Sequence, residues 1–309
     1  MSLARDRRVA DSLPKTWVDR APGPVRPYLR LARYDRPAGF WLLALPCFQG
    51  LALAGIGSGL GWVDLYYALL FAIGAVAMRG AGCTYNDIVD RDLDAQVART
   101  ANRPLVAGTV SLKRAWVFLV AQSLVGLLVL IQLPPVAIAT GLGALVLVAG
   151  YPFMKRITWW PQAWLGLTFN WGALVAFAAG AGGFALEAFL LYASGLFWTL
   201  GYDTIYACQD IEDDALVGVK SSARALGPRI LPGLWIFYAL SALLAVAAGV
   251  VAGASLVFAV LVSLYAAHLF SQLLRVDLKD GASCLSAFKS NRTSGLLLVL
   301  AYAAAAFAI

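Results

Sequence analysis

Nine stretches of roughly 20 mostly apolar residues, near 40–60, 63–85, 112–133, 135–151, 162–181, 184–207, 231–252, 254–274 and 294–309, follow one another with few polar interruptions. About 20 such residues carry a helix across the hydrocarbon core, where each backbone N–H and C=O must find its partner inside the segment. The pattern predicts an all-α, polytopic membrane protein with nine transmembrane helices. Composition agrees: 61% of the 309 residues are hydrophobic and 13% charged, which leaves little polar surface for a soluble globule. Pro134-Pro135 and Gly182-Gly183 separate neighbouring spans by breaking the helix, with no polar loop.

Positive charge tests this division independently, because Lys and Arg are retained on the cytoplasmic side during insertion. All of the 24 Lys and Arg except Arg79 fall in residues 1–39 or in and beside the second, fourth, sixth and eighth connections. The opposite face carries only Asp64 and Glu187 as charged residues. The N-terminus is therefore expected in the cytoplasm and the C-terminus outside. The net charge of +7 then belongs to one membrane face suited to anionic lipid or an anionic substrate, and nucleic acid is not needed to explain it. Residues 1–39 contain no apolar core for a signal peptide, and Asp6, Asp11 and Asp19 argue against a transit peptide. The expected organisation is a cytosolic tail and interfacial segment over 1–39, with a short helix at 27–33, and one transmembrane domain over 40–309. Cys47, Cys83, Cys208 and Cys284 lack C-x-x-C spacing and read as small apolar side chains. His268 is the only histidine, so a histidine-ligated metal or haem is poorly supported and packing is the simpler role.

Acids near hydrocarbon are costly unless paired, hydrated or bound to cations, and here they gather in two places. The first is Asn86-Asp87-Ile-Val-Asp90-Arg-Asp92-Leu-Asp94, at the cytoplasmic end of the second span. If the helix continues, Asp87, Asp90 and Asp94 share one face. The second is Asp210-Ile-Glu212-Asp213-Asp214, at the cytoplasmic end of the sixth span. Asn86-Asp87-Ile88-x-Asp90 and Gln209-Asp210-Ile211-x-Asp213 align, and a cysteine precedes each. This suggests two four-helix repeats plus a ninth helix around a central cavity, with the acid segments facing one another. Opposed carboxylates without His or Cys suit a hard, oxygen-loving cation such as Mg²⁺, which commonly shares its coordination sphere with phosphate oxygens. Arg99, Arg103, Lys155, Arg156 and Lys220 on the same face would neutralise the rest of a diphosphate. The plain alternative is that these charges only solvate loops.

These residues resemble the UbiA superfamily of intramembrane prenyltransferases, most closely its 4-hydroxybenzoate branch. Asn86 to Asp94 fits N-D-x-x-D-x-x-x-D, and Arg99-Thr100-x-x-Arg103-Pro104-Leu105 through Gly108 continues it. Asp210 and Asp214 fit D-x-x-x-D, Tyr151-Pro-Phe-Met-Lys155 fits Y-x-x-x-K, and Tyr202-Asp203-Thr204-Ile205-Tyr206-Ala207 is similar to the hydroxybenzoate branch in particular. Gly218-Val-Lys220-Ser221-Ser222 and Arg33-Tyr-Asp35-Arg36-Pro37-x-Gly39 add weaker agreement. The resemblance implies a Mg²⁺-dependent transfer of a polyprenyl chain from polyprenyl diphosphate to an aromatic ring within the bilayer, at a bacterial or mitochondrial inner membrane. It places Asp87, Asp90, Asp94, Asp210 and Asp214 at the metal, and the acid cluster itself adds Asp213. It places Asn86, Arg33, Arg99, Arg103, Tyr151, Lys155 and Lys220 at the substrate, where the charge of the same face also puts Arg156.

Arg79 and Asp203 stand seven residues before Asn86 and Asp210, so each lies two turns, roughly 10 Å, deeper along its helix. As the family also implies, Arg79 is expected to pair with the 4-hydroxybenzoate carboxylate, while Asp203 orients the phenol or assists proton loss. A salt bridge between the two is the structural alternative. Asn170, with Trp160, Trp164, Phe169 and Trp171, either lines the acceptor cavity or belongs to the core and interface. Lys155 either contacts diphosphate or snorkels to the interface. From a different class, a transporter would also show repeats and embedded charges, but the outer half here lacks a polar path. Prenyl chain length and oligomeric state have no signal in the sequence.

Overall fold

A computed structural model describes residues 15–96, 100–216 and 218–307, apart from the side chain of Asp213. Among the described residues there are helices and no strands. In chain order they are α1 (Arg26–Leu31), α2 (Ala38–Ala54), α3 (Trp62–Val89), α4 (Arg91–Asp94), α5 (Leu112–Leu130), α6 (Pro135–Ile157), α7 (Pro161–Ala181), α8 (Leu186–Ala207), α9 (Ile211–Leu216), α10 (Ser222–Leu226), α11 (Ile230–Val251), α12 (Leu256–Arg275) and α13 (Gly281–Phe307). Six helical stretches are long and apolar enough to cross a membrane: α3, α5, α6, α7, the run Ser222–Val251, and α12. The other three long helices each have a reason to fall short. α2 is apolar but has 17 residues, α8 carries Glu187 and Asp203, and α13 carries Lys289, Asn291 and Arg292.

The breakers act as the sequence predicts. Pro135 occupies the first turn of α6, where its missing N–H costs nothing. Gly182 ends α7 at φ 73°, a left-handed conformation that a side chain disfavours. Helix α6 runs past Pro152 to Ile157, so Tyr151 and Lys155 share one helix. The clearest boundary difference is α13, which starts at Gly281 where the polar run up to residue 293 predicts a connection. Asp280 caps it by accepting from the Ala282 and Ser283 amides at 2.9 and 3.2 Å. The polar residues that follow are satisfied inside the fold: Asn291 accepts from Trp198 Nε1 at 2.8 Å and donates to Gln272 at 3.0 Å, and His268 Nδ1 bonds Ser294 at 2.8 Å.

The chain divides into two compact units. The first comprises residues 1–41 and 73–129. Here Leu31 of α1, Leu105 and Val110 of the α4–α5 connection and Ala115 of α5 form a buried cluster, with Tyr28, Ile88 and Phe118 packed on it. It pins the connection that carries Arg103 against the end of α3.

The second unit comprises residues 42–72 and 130–309. Within it α8 packs against α7 and α11, α6 against α7, and α12 against α13. Trp164 and Trp171 of α7 donate to the Leu147 and Thr140 carbonyls of α6, both at 2.8 Å. Polar groups and small residues bind helices together where lipid offers no hydrophobic drive. Gly50 of α2 lies so close to the Ala173 carbonyl of α7 that a Cβ would overlap it. Because backbone cannot swing aside, Gly50→Ala is expected to cost about 1–3 kcal/mol. A thermal melt in detergent checks this through a lowered Tm.

Candidate active site

In the first unit, α3 ends at Val89 and Asp90 interrupts it at φ −95°, ψ 1°. The hydrogen-bond ladder nevertheless continues, with the Asp90 amide on the Asn86 carbonyl at 2.9 Å and the Asp94 amide on that of Asp90 at 2.8 Å. Asp87, Asp90 and Asp94 are all buried, whereas Asp92 points to solvent. The chain then returns through a turn in which Thr100 Oγ1 donates to the Asp94 carbonyl at 2.6 Å and the Arg103 amide to the Thr100 carbonyl at 2.9 Å. Arg103 Nη1 thereby reaches both Asp87 Oδ1, at 3.2 Å, and Asp94 Oδ2, at 2.5 Å.

Arg33 meets the same carboxylate oxygen, its Nη2 2.5 Å from Asp87 Oδ1. Arg33 ends α1 in a left-handed conformation, φ 64°, the only non-glycine described with positive φ. The Tyr34 amide donates across it to the Leu29 carbonyl at 3.0 Å. Glycine would suit this position, and a side chain there costs of order 1 kcal/mol or more. The ion pair with Asp87 gives the position its reason for carrying arginine. Burial alone would lower the Arg33 pKa, but the Asp87 carboxylate, aided by Cys83, the hydrogen bond and Asp35, reverses this and raises it. The guanidinium stays charged. Asp87 Oδ2 and Arg103 Nε are buried at this cluster without a hydrogen-bond partner, which leaves one acceptor and one donor to spare.

Arg79 and Asn86 lie on α3 as the spacing predicts, both partly buried. Arg99 lies outside the described residues.

In the second unit, α8 gives way at Cys208–Asp210 to a 3₁₀ turn and then to α9, which places Asp210 and Asp214 partly exposed and Glu212 exposed. The side chain of Asp213 lies outside the described residues. Gly218, at φ 74°, closes α9 with the Val219 amide on the Asp214 carbonyl at 2.9 Å. This turn carries Lys220 to the end of α6. Its amide donates to the Lys155 carbonyl at 3.0 Å and its Nζ to the Ile157 carbonyl at 3.1 Å. Ser222 then anchors on Thr204 of α8 at 2.6 Å and on Gln162 of α7 at 2.9 Å. Lys155, Arg156 and Lys220, distant in sequence, thus share one end of this unit, with Lys155 partly buried and Arg156 exposed.

Arg224 was not predicted. Its Nη1 reaches the carbonyls of Val219 and, at 3.3 Å, Asp214, and its guanidinium stacks 5.3 Å from the Trp159 ring centroid. The one cue in the sequence is its place three residues after Ser221, the cap of α10. Asp203 is partly buried on α8 between buried Tyr202 and Thr204. Asn170 is buried in the packing of α7 on α8, donating to Gly166 and to Thr199, both at 2.8 Å. No group of three or more His, Cys, Asp or Glu placed to hold a metal ion occurs among the described residues. The four cysteines are free thiols, three of them buried.

The profile of the UbiA prenyltransferase family matches residues 43–305. The mitochondrial 4-hydroxybenzoate polyprenyltransferase of Rattus norvegicus is 48% identical over 287 residues, 92% of this chain and 75% of that protein. The enzyme of the same name from Homo sapiens is 47% identical over 286 residues, 92% of this chain and 76% of that protein. Among solved structures, the apo UbiA homolog of Aeropyrum pernix K1 superposes with a TM-score of 0.71 at 26% identity, covering 84% of this chain and 96% of its own. The Archaeoglobus fulgidus homolog bound to GPP and Mg²⁺ shares the fold, with a TM-score of 0.66 at 24% identity over 92% of this chain and all of its own. The profile spans most of the sequence and the curated relatives match nearly half of their aligned residues, so this chain belongs to the UbiA prenyltransferase family.

Proposed function

We propose that the protein transfers a polyprenyl group from polyprenyl diphosphate to the ring carbon ortho to the hydroxyl of 4-hydroxybenzoate, the prenylation step of ubiquinone biosynthesis. The observation that carries this reading is the unmatched pair in the first acid segment: Asp87 Oδ2 is an acceptor left for a cation, and Arg103 Nε a donor left for a phosphate oxygen. The names of the relatives supply the acceptor, 4-hydroxybenzoate, and a mitochondrial location; a bacterial inner membrane is the alternative that the sequence reading carries.

Every ligand on offer is a carboxylate oxygen, the donor chemistry of a hard cation, so the residues fit Mg²⁺. Asp87, Asp90 and Asp94 of the first segment would hold it, as would Asp210, Asp213 and Asp214 of the second. Bound there, Mg²⁺ supplies positive charge against the departing diphosphate. Arg33, Arg99, Arg103, Lys155, Arg156 and Lys220, with Asn86 and Tyr151, bind the remaining phosphate oxygens. Held ready before reaction, these donors favour the charge that grows on diphosphate as its C–O bond breaks. The bonding electrons leave with diphosphate, the ring carbon forms the new C–C bond, and the ring proton departs. Arg79 pairs with the acceptor carboxylate and Asp203 orients the phenol or takes that proton, while Asn170, whose Oδ1 lies against Gly195 in the packing of α7 on α8, takes the core role of its two readings. Apolar helices around the reacting carbon keep water from capturing it.

The accompanying architecture is a tail and interfacial segment over 1–39 and one transmembrane domain over 40–309. That domain has nine spans in two four-helix repeats plus one, and the N-terminus is cytoplasmic. Its support is the charge distribution and the internal repeat in the sequence.

Purified protein given geranyl diphosphate, 4-hydroxybenzoate and competing aromatics is expected to prenylate 4-hydroxybenzoate. Removing Mg²⁺ with EDTA should slow this at least about 100-fold, reversibly. If no acceptor yields product, the reading fails.

A further inference from the structure

Gly39 occupies the first turn of α2, at the head of the membrane domain. Its φ is not in the left-handed region, so the backbone makes no demand for glycine. Inside a helix, glycine is worth about 0.5–1 kcal/mol less than alanine. A reason for it must come from what a side chain would touch. The three atoms nearest to a Cβ placed there all belong to the guanidinium end of Arg79: Nε at 2.5 Å, Nη2 at 2.7 Å and Cζ at 2.9 Å. No backbone atom is among them.

From this contact we propose that Gly39 is the positioning residue for Arg79 and thereby sets selectivity for a carboxylate-bearing acceptor. The inference rests on the reading of Arg79 as the acceptor's counter-charge. The guanidinium occupies the space that a Cβ on Gly39 would take, so the bare Cα is what allows the Arg79 head to sit there. Any side chain at 39 must push that head by about 1 Å to restore van der Waals contact. Arg79 is flexible at that end, so the cost falls on the position of the charge and little on folding. Misplacement of a binding group by about 1 Å is enough to cost as much as 100-fold in rate.

The test is Gly39→Ala in purified full-length protein, measured with 4-hydroxybenzoate and with its neutral amide, 4-hydroxybenzamide. Gly39→Ala is expected to raise KM for the acid at least tenfold and to narrow the preference for acid over amide by a similar factor. KM for geranyl diphosphate should stay within about twofold and Tm should be unchanged or higher. In an Arg79→Leu background, the same substitution should have no further effect on the acid-to-amide ratio, because its target is gone. A Gly39→Ala protein with unchanged selectivity overturns the proposal, as does an effect that persists without Arg79 or falls equally on both substrates. The two readings separate cleanly. If Arg79→Leu itself leaves acid selectivity intact, the role of Arg79 fails. If only Gly39→Ala is silent, the role of Gly39 fails alone.

Discussion

Asp87→Asn is expected to lower the rate of prenyl transfer on the order of 10³-fold while the protein still folds. Asparagine keeps the size of the side chain and the Oδ1 acceptor that takes Arg33 at 2.5 Å and Arg103 at 3.2 Å. What it removes is the negative charge, and it replaces the unmatched Oδ2 by an amide that repels a cation. The buried Arg33 and partly buried Arg103 guanidiniums then share less opposing charge. Arg103 retains Asp94, so the stability cost should stay near 2 kcal/mol, below that of a fully broken buried pair. Steady-state rates, a melting curve and Mn²⁺ titration distinguish the contributions: metal affinity should fall with the rate. Activity within tenfold of the parent would remove Asp87 from the metal site.

Arg103→Leu should show the largest loss of stability, about 3–5 kcal/mol. Arg103 bridges Asp87 and Asp94. Removing it takes from two buried carboxylates the cation they share, while Arg33 stays on Asp87. Arg103→Lys restores the charge but not the planar fork that contacts two acids at once, so it should recover only part of the Tm. With either variant, KM for geranyl diphosphate should rise about tenfold or more, since the donor left at Nε is lost or moved. Unchanged KM together with lowered Tm would assign Arg103 to folding alone.

The acid segments illustrate how much a sequence of this kind discloses. Carboxylates are so costly beside hydrocarbon that their spacing at 87, 90 and 94 already implied one inward face, and these three side chains are buried while Asp92 is not. The polar run before 294 misled because its cost is cancelled by partners on other helices, Trp198 and Gln272 for Asn291. Hydropathy has no knowledge of those partners. Arg224 was overlooked for a similar reason, since a cation near a loop looks solvated until the loop folds back on it.

Local physics is therefore what the linear order of residues determines here: apolar length, the three- and four-residue periods that align acids, the breakers, and the asymmetry of charge that the bilayer enforces. Each depends on neighbours within a turn or two, or on the membrane, and both can be read along the chain. The tertiary structure alone decided that Arg33 accepts a strained backbone to reach Asp87, 54 residues away, and that Gly39 yields its side-chain space to Arg79. Such contacts depend on which faces of separate helices meet, and periodicity within one helix carries no record of its partner.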